Sequence, residues 1–251
     1  MPGTLYALAN QKGGVGKTTT AVNLAACLAE AGERTLVVDL DPQANATSGL
    51  GERVNGTSSY DLLDGASVQK LAHSTRFANL DLVPSRPELA GAVVELARLG
   101  DGETFLSESL RPAREAYSFV FVDCPPSLGP LTVNALAAAD RVLVPIQCEY
   151  YALEGLAQLL DSVDRVRTRL NPRLTVAGLL LTMADGRTRL TADVVREVRE
   201  SFGDLVFDAV VPRSIRLAEA PSYGLPITVY APSSPGADAY YKVASELVER
   251  G

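Results

Sequence analysis

The stretch Asn10-Gln11-Lys12-Gly13-Gly14-Val15-Gly16-Lys17-Thr18-Thr19 constrains this chain more than any other. An apolar run from Leu5 to Ala9 precedes it, and Ala21 to Ala29 follows with a helical pattern. Strand, glycine-rich loop and helix, in that order, form the context a phosphate-binding loop requires. Gly13, Gly14 and Gly16 let backbone N–H groups crowd around an anion, with Val15 and Thr19 in the same cradle. The helix starting near Lys17 turns its positive dipole end and unpaired N–H groups toward that anion. In such a loop Lys17 reaches the β- and γ-phosphates and the Thr18 hydroxyl ligates Mg²⁺.

The rest of the chain repeats the strand–helix alternation. Strands are expected over Arg34 to Asp41, Leu80 to Pro84, Ser118 to Asp123, Arg141 to Pro145, Leu174 to Leu181 and Leu205 to Val210. Helices are expected over Glu88 to Leu99, Glu103 to Ala116, Leu131 to Ala139, Leu153 to Leu170, Leu190 to Phe202 and Ala237 to Arg250. Residues 42 to 59 are rich in Gly, Asn, Ser and Thr and read as a loop. Short Val- and Leu-rich runs between helices mean βαβ units. The expectation is a doubly wound, mostly parallel sheet with helices on both faces, in one domain spanning residues 1–251.

Composition narrows the setting. Of 251 residues 47% are hydrophobic and none is Trp, which suits a core of aliphatic side chains. The net charge of −7 argues against a uniformly basic nucleic-acid coat but leaves room for a local basic face. Cys27, Cys124 and Cys148 are isolated and odd in number, so they read as reduced thiols. The lone His73 reads as a surface or loop residue. No run of about 18 apolar residues marks a membrane span, and the first residues already form a strand, so the chain is expected to be cytoplasmic without a signal peptide.

Acids complete the chemistry. Asp123 follows four apolar residues and precedes Cys124-Pro125-Pro126, which places it at the end of a strand, where a Mg²⁺-supporting acid belongs. Asp39 and Asp41 are expected to end the second strand on one side, because side chains alternate.

The loop departs from G-x-x-x-x-G-K-[ST]: Gln11 stands at the first glycine and Lys12 opens the loop. KGGVGKT resembles the deviant Walker A motif of the ParA/MinD/nitrogenase-iron-protein superfamily, in which the early lysine reaches a partner's nucleotide. Val38-Asp39-Leu40-Asp41-Pro42-Gln43-Ala44-Asn45 resembles the family's first switch, which implies that Asp41 orients the attacking water and Asp39 supports Mg²⁺ through its water shell; the reverse split keeps both in the site. Asp123 to Leu128 resembles the second switch. The segment Gln147 to Gly155 is similar to the dimer face of the ParA/Soj branch, with Glu149 near a ribose. The segment Val211 to Ser222 is similar to the base-side loop, which puts Pro212 and Arg213 beside adenine. Arg187 and Arg216 match positions that contact DNA.

The resemblance, which runs from Ala9 almost to the C-terminus, implies a ParA/Soj-type chromosome-partitioning ATPase using ATP and Mg²⁺. Its catalytic residues would be Lys12, Lys17 and Asp41. It would be a homodimer when ATP is bound, attach to non-specific DNA at the nucleoid, and be stimulated by a ParB-type partner. It looks like the short form without an N-terminal helix-turn-helix. A MinD-like membrane-cycling regulator, an iron–sulfur reductase and a metabolic ligase are the alternatives; the acidic end, Val243 to Gly251, fits membrane insertion poorly.

Overall fold

The computed structural model describes residues 2–53, 56–98, 102–149 and 152–251. The apolar runs become β1 (Thr4–Leu8), β2 (Thr35–Asp39), β3 (His73–Ser74), β4 (Leu80–Val83), β5 (Phe119–Asp123), β6 (Arg141–Gln147) and β7 (Thr175–Thr182). They lie in one sheet, in the order β3-β4-β2-β5-β1-β6-β7. All pairings are parallel except that of the short edge strand β3 with β4.

Both faces of this sheet are covered, which is why its strands read as unbroken apolar runs. Leu5 and Ala7 of β1 join one core cluster, and Tyr6 and Leu8 join the other. Val120 and Val122 of β5 divide from Phe121 in the same way. On the second face, α1 (Lys17–Glu30) packs against the helix Pro235–Glu249 through Leu24, Leu28, Tyr240, Val243 and Leu247. Each such buried side chain contributes roughly 1.5–3 kcal/mol, so the helix that carries Lys17 is firmly seated.

Several segments differ from the sequence expectation, each for a physical reason. The second strand stops at Asp39, because the Asp41 N–H turns back to donate to Asp39 Oδ1 instead of continuing the ladder. The expected loop over 42–59 contains the short helix α2 (Asn45–Gly49). The expected helix over 103–116 is two pieces, Phe105–Leu110 and Ala113–Ala116, separated at Pro112, which has no N–H to give. Leu205 to Val210 is not a strand. The amides of Asp208 and Ala209 donate to the Glu246 carboxylate at 2.8 and 3.0 Å, leaving one bridge, Leu179 with Val206. The Phe207 ring lies over Gly178, where an added Cβ would sit 2.4 Å from a ring carbon, so β7 needs glycine there. Tyr150 and Tyr151 of the expected dimer-face segment fall outside the described residues.

Candidate nucleotide site

Parallel pairing puts the C-terminal ends of β1, β2 and β5 side by side. Leu8 is in register with Asp123, and Asp123 with Asp39. The glycine loop leaves β1 at this edge. Gly16 is the residue before α1 and lies at φ 92°, ψ 22°, a left-handed conformation that glycine adopts without strain. Thr182 Oγ1 donates to the carbonyls of Val15 (2.8 Å) and Ile146 (3.1 Å), pinning the loop to β6 and β7. Asn10 Nδ2 donates to the Pro145 carbonyl at 2.8 Å, and Asn10 Oδ1 accepts the Lys12 N–H at 3.0 Å.

The charges converge here. Among the described residues, the buried charged side chains are Lys17, Asp39, Asp41 and Asp123, and all four stand at this edge. Burial lowers the Lys17 pKa, while Asp123, Cys124 and Asp41 pull it back up; its Nζ donates to the Lys12 carbonyl at 3.2 Å. Burial raises Asp39, an effect opposed by its hydrogen bonds and reinforced by the charge on Asp41. Asp39 Oδ1 accepts the Asp41 N–H (3.1 Å), and Oδ2 accepts both the N–H (2.8 Å) and the hydroxyl (2.7 Å) of Thr47. Asp41 Oδ1 accepts the Gln43 N–H at 2.9 Å.

Asp123 is different. Both of its oxygens are buried with no hydrogen-bond partner. Burial, then the Asp39 charge, raises its pKa well above the carboxylate range; the Thr18 hydroxyl and Lys17 partly offset the rise, although Thr18 closes no hydrogen bond. Beside it the loop is open: a Cβ on Gly14 would meet nothing within 4 Å, and one on Gly13 only Pro126 at 3.7 Å. An orphaned carboxylate, a hydroxyl and an open glycine cradle fit Mg²⁺ carried in on phosphates. Among the described residues no group of three or more His, Cys, Asp or Glu could hold a metal by itself.

The folded pKa of Asp123 exceeds its unfolded value, so its ionisation opposes folding. Below the unfolded pKa there is no penalty; the penalty grows as pH rises toward the folded pKa and is complete above it. Asp123→Asn should therefore raise the melting temperature of the nucleotide-free protein by about 3 °C or more at pH 8, since each kcal/mol is worth roughly 2–4 °C at this size. The gain should shrink as pH falls toward 4. Thermal unfolding followed by circular dichroism measures it, and a lower melting temperature at pH 8 would contradict this assignment.

Beyond the loop, a cavity of about 410 Å³ opens beside Gly16 and Thr19, lined by Pro212, Arg213, Leu217 and Tyr240. The expected base-side residues thus border the phosphate cradle. Lys12 Nζ and Glu149 Oε2 are 2.6 Å apart and about half exposed, so the two residues expected at a dimer face are paired within the chain. Gln147 Nε2 also donates to Glu149.

Arg187 sits in the turn after β7, whereas Arg216, expected in a loop, lies in the short helix Ile215–Glu219; the two segments are joined where Arg213 N–H donates to the Ala184 carbonyl at 3.0 Å. Arg187 makes a two-pronged pair with Asp185 at 2.9 and 2.8 Å, and Arg216 pairs with Glu219 at 3.1 Å. Both arginines are largely exposed. Arg189, close to Arg187 in sequence, is the first residue of the helix Arg189–Phe202. The three cysteines are free, buried and pushed up by burial, Cys148 to about 11. His73 is exposed on β3.

Sequence reasoning missed Thr182 and Thr47, which fasten the loop and Asp39. Neither lies in a motif that marks it; Thr182 reaches Val15, 167 positions away, and Thr47 reaches back eight positions to Asp39.

The AAA domain family model matches residues 3–176. Chromosome partitioning protein ParA of Myxococcus xanthus (strain DK1622) is 51% identical over 99% of this chain and 89% of its own length. The chromosome-partitioning ATPase Soj of Thermus thermophilus is 55% identical over 97% of this chain and 95% of its own. Among solved structures, cobyrinic acid a,c-diamide synthase from Mycobacterium smegmatis, with bound ADP and magnesium, superposes with a TM-score of 0.85 at 35% identity, covering 98% of this chain and 94% of that one.

Proposed function

The chain belongs to the ParA/Soj family of chromosome-partitioning ATPases, and we propose on that premise that it is a single-domain, ATP-driven dimerising switch that moves DNA. The observation that carries this reading is the gathering of the buried charges, Lys17, Asp39, Asp41 and Asp123, around an open glycine loop. Buried ionisable groups gathered at one sheet edge, with the pKa values of Lys17, Asp39 and Asp123 shifted by burial, mark a candidate ligand site.

The loop amides from Gly13 to Thr19 and the Lys17 ammonium hold the triphosphate. Thr18 and Asp123 hold Mg²⁺, with Asp39 behind them; the bound ion would neutralise charge on the phosphate oxygens. Pro212 and Arg213 border the adenine. Asp41 orients the attacking water. Lys12 leaves Glu149 to reach the nucleotide of a second subunit, and Glu149 is released toward the ribose. An exposed ion pair is worth only about 0–1 kcal/mol, so this exchange is cheap. A ParB-type partner then accelerates hydrolysis, which dissolves the dimer.

Membrane cycling is disfavoured, because the apolar face of the helix Pro235–Glu249 is already buried against α1. Among the described residues no helix is long and apolar enough to cross a membrane.

DNA binding tests the switch. The ATP-bound protein should bind duplexes of any sequence, with weak binding in ADP or without nucleotide, and affinity should fall steeply with salt as counterions return. Replacing Arg187 and Arg216 together with Ala should lower DNA affinity at least about tenfold and flatten the salt slope by roughly 1–2, with ATP-dependent dimerisation unchanged. Equal DNA affinity for the parent and double variant would remove these two arginines from the interface.

A further inference from the structure

We infer that Thr47 is a positioning residue for hydrolysis: it clamps Asp39, and Asp39 in turn fixes the backbone that carries Asp41. The inference rests on the ATPase reading above and assigns a task to a residue outside every motif.

Thr47 lies in α2, eight residues beyond Asp39, yet reaches it twice. Its N–H donates to Asp39 Oδ2 at 2.8 Å and its hydroxyl donates to the same oxygen at 2.7 Å. The hydroxyl oxygen also accepts the Ser85 N–H at 3.0 Å, just past the end of β4. Thr47 and Asp39 are both buried, so these bonds form in a dry setting where each counts for more than at the surface. The hydroxyl has one proton to give and gives it to Asp39, and the backbone amide at Ser85 fixes its direction.

The other carboxylate oxygen of Asp39 completes the argument. Oδ1 accepts the Asp41 N–H at 3.1 Å, and Asp41 Oδ1 accepts the Gln43 N–H at 2.9 Å. The relay runs from Ser85 through Thr47 and Asp39 to the backbone of Asp41. Between the two ends the chain turns at Ala44, which sits in the left-handed region at φ 53°. A non-glycine residue held there is strained and persists only when its surroundings over-determine it. The Asp39–Thr47 clasp spans that turn and supplies the constraint. Asp39 thus has both oxygens committed to the chain's own donors, whereas Asp123 has neither committed. The two strand-end acids divide their work, with Asp123 left for the ligand and Asp39 for the loop.

The test compares Thr47→Val, which keeps shape and loses the hydroxyl, with Thr47→Ser, which keeps it. In single-turnover hydrolysis the Val variant should be slower by about ten- to a hundredfold, the range expected when a reacting group is displaced by a fraction of an ångström to an ångström. MgATP affinity should stay within about threefold, because the phosphate cradle is untouched. The Ser variant should match the parent. In nucleotide-free protein, hydrogen exchange at the Asp41 and Gln43 amides should speed up by about tenfold in the Val variant and not in the Ser variant, with the β2 amides unchanged. Thr47→Ala is a second hydroxyl-free variant, and should reproduce the same pattern if Val is poorly tolerated. Parental hydrolysis, parental exchange in both hydroxyl-free variants, or an equal loss in MgATP affinity and rate would overturn the positioning role and leave the ATPase reading standing. A parent that binds MgATP with no affinity would overturn that reading, and this role with it.

Discussion

Lys17→Ala should lose at least about 100-fold in MgATP affinity while the protein stays folded. The buried charges of the site are three carboxylates and one ammonium, so Lys17 is their only buried counter-charge among the described residues. Without it a triphosphate would approach Asp39, Asp41 and Asp123 with no buried cation to offset them. A hydrogen bond to a charged group is worth about 1.5–3 kcal/mol, and 2.8 kcal/mol is roughly a hundredfold. The fold should survive, because in the nucleotide-free protein the ammonium donates only to the Lys12 carbonyl at 3.2 Å, and α1 is held by Leu24, Leu28 and their neighbours. Asp123 would also lose a partner that lowers its pKa, and should take up a proton more readily. Titration calorimetry with a slowly hydrolysed ATP analogue is the measurement. Affinity within tenfold of the parent would mean that this loop does not hold phosphate.

Much of this architecture was legible before any coordinates. Local apolar pattern fixed the central strands, because residues such as Leu5 to Leu8 and Val120 to Val122 are buried on both faces whatever surrounds them. The glycine loop was legible because its chemistry is local: the glycines, Lys17 and Thr18 lie within a few residues. What could not be read depends on distant partners. Leu205 to Val210 has a strand's composition, yet Glu246 on the last helix takes its amides. The Gly- and Ser-rich stretch after Asp41 reads as a loop, yet Asp39 organises a helical turn within it by capturing Thr47.

The site shows the same division. Asp39 and Asp123 look alike in sequence, each an acid closing an apolar run. Only three-dimensional contacts reveal that one is fully bonded and the other bare. Likewise the early Lys12 is legible as a residue of the loop, but its resting partner Glu149 lies 137 positions away. Charge pairing at these arginines was equally hidden: Arg187 pairs with Asp185 of its own turn, and Arg216 with Glu219 of its own short helix. If these arginines contact DNA as proposed, its phosphates compete for them with Asp185 and Glu219.

Asp41→Ala should separate nucleotide binding from hydrolysis. Asp41 is buried, and its Oδ1 accepts the Gln43 N–H, so one carboxylate oxygen is tied to the chain and fixes the side chain's position. Orienting the attacking water is the task proposed for this carboxylate, and losing such a group typically costs about 10²- to 10⁴-fold. The variant should therefore lose at least about a hundredfold in single-turnover hydrolysis, while MgATP affinity stays within about threefold because Lys17, Thr18 and Asp123 remain. Asp41→Asn should fall by a similar factor even though its side-chain oxygen still accepts from Gln43, since the amide has no second acceptor oxygen to orient a water. Both variants should accumulate as ATP-bound dimers that stay on DNA after the parent has released it, which sedimentation and filter binding would follow over time. Parental hydrolysis by Asp41→Ala would dismiss Asp41 as the water-orienting group. Asp39 would then be the remaining candidate, and it would first have to give up a bond to Thr47 or to the Asp41 amide.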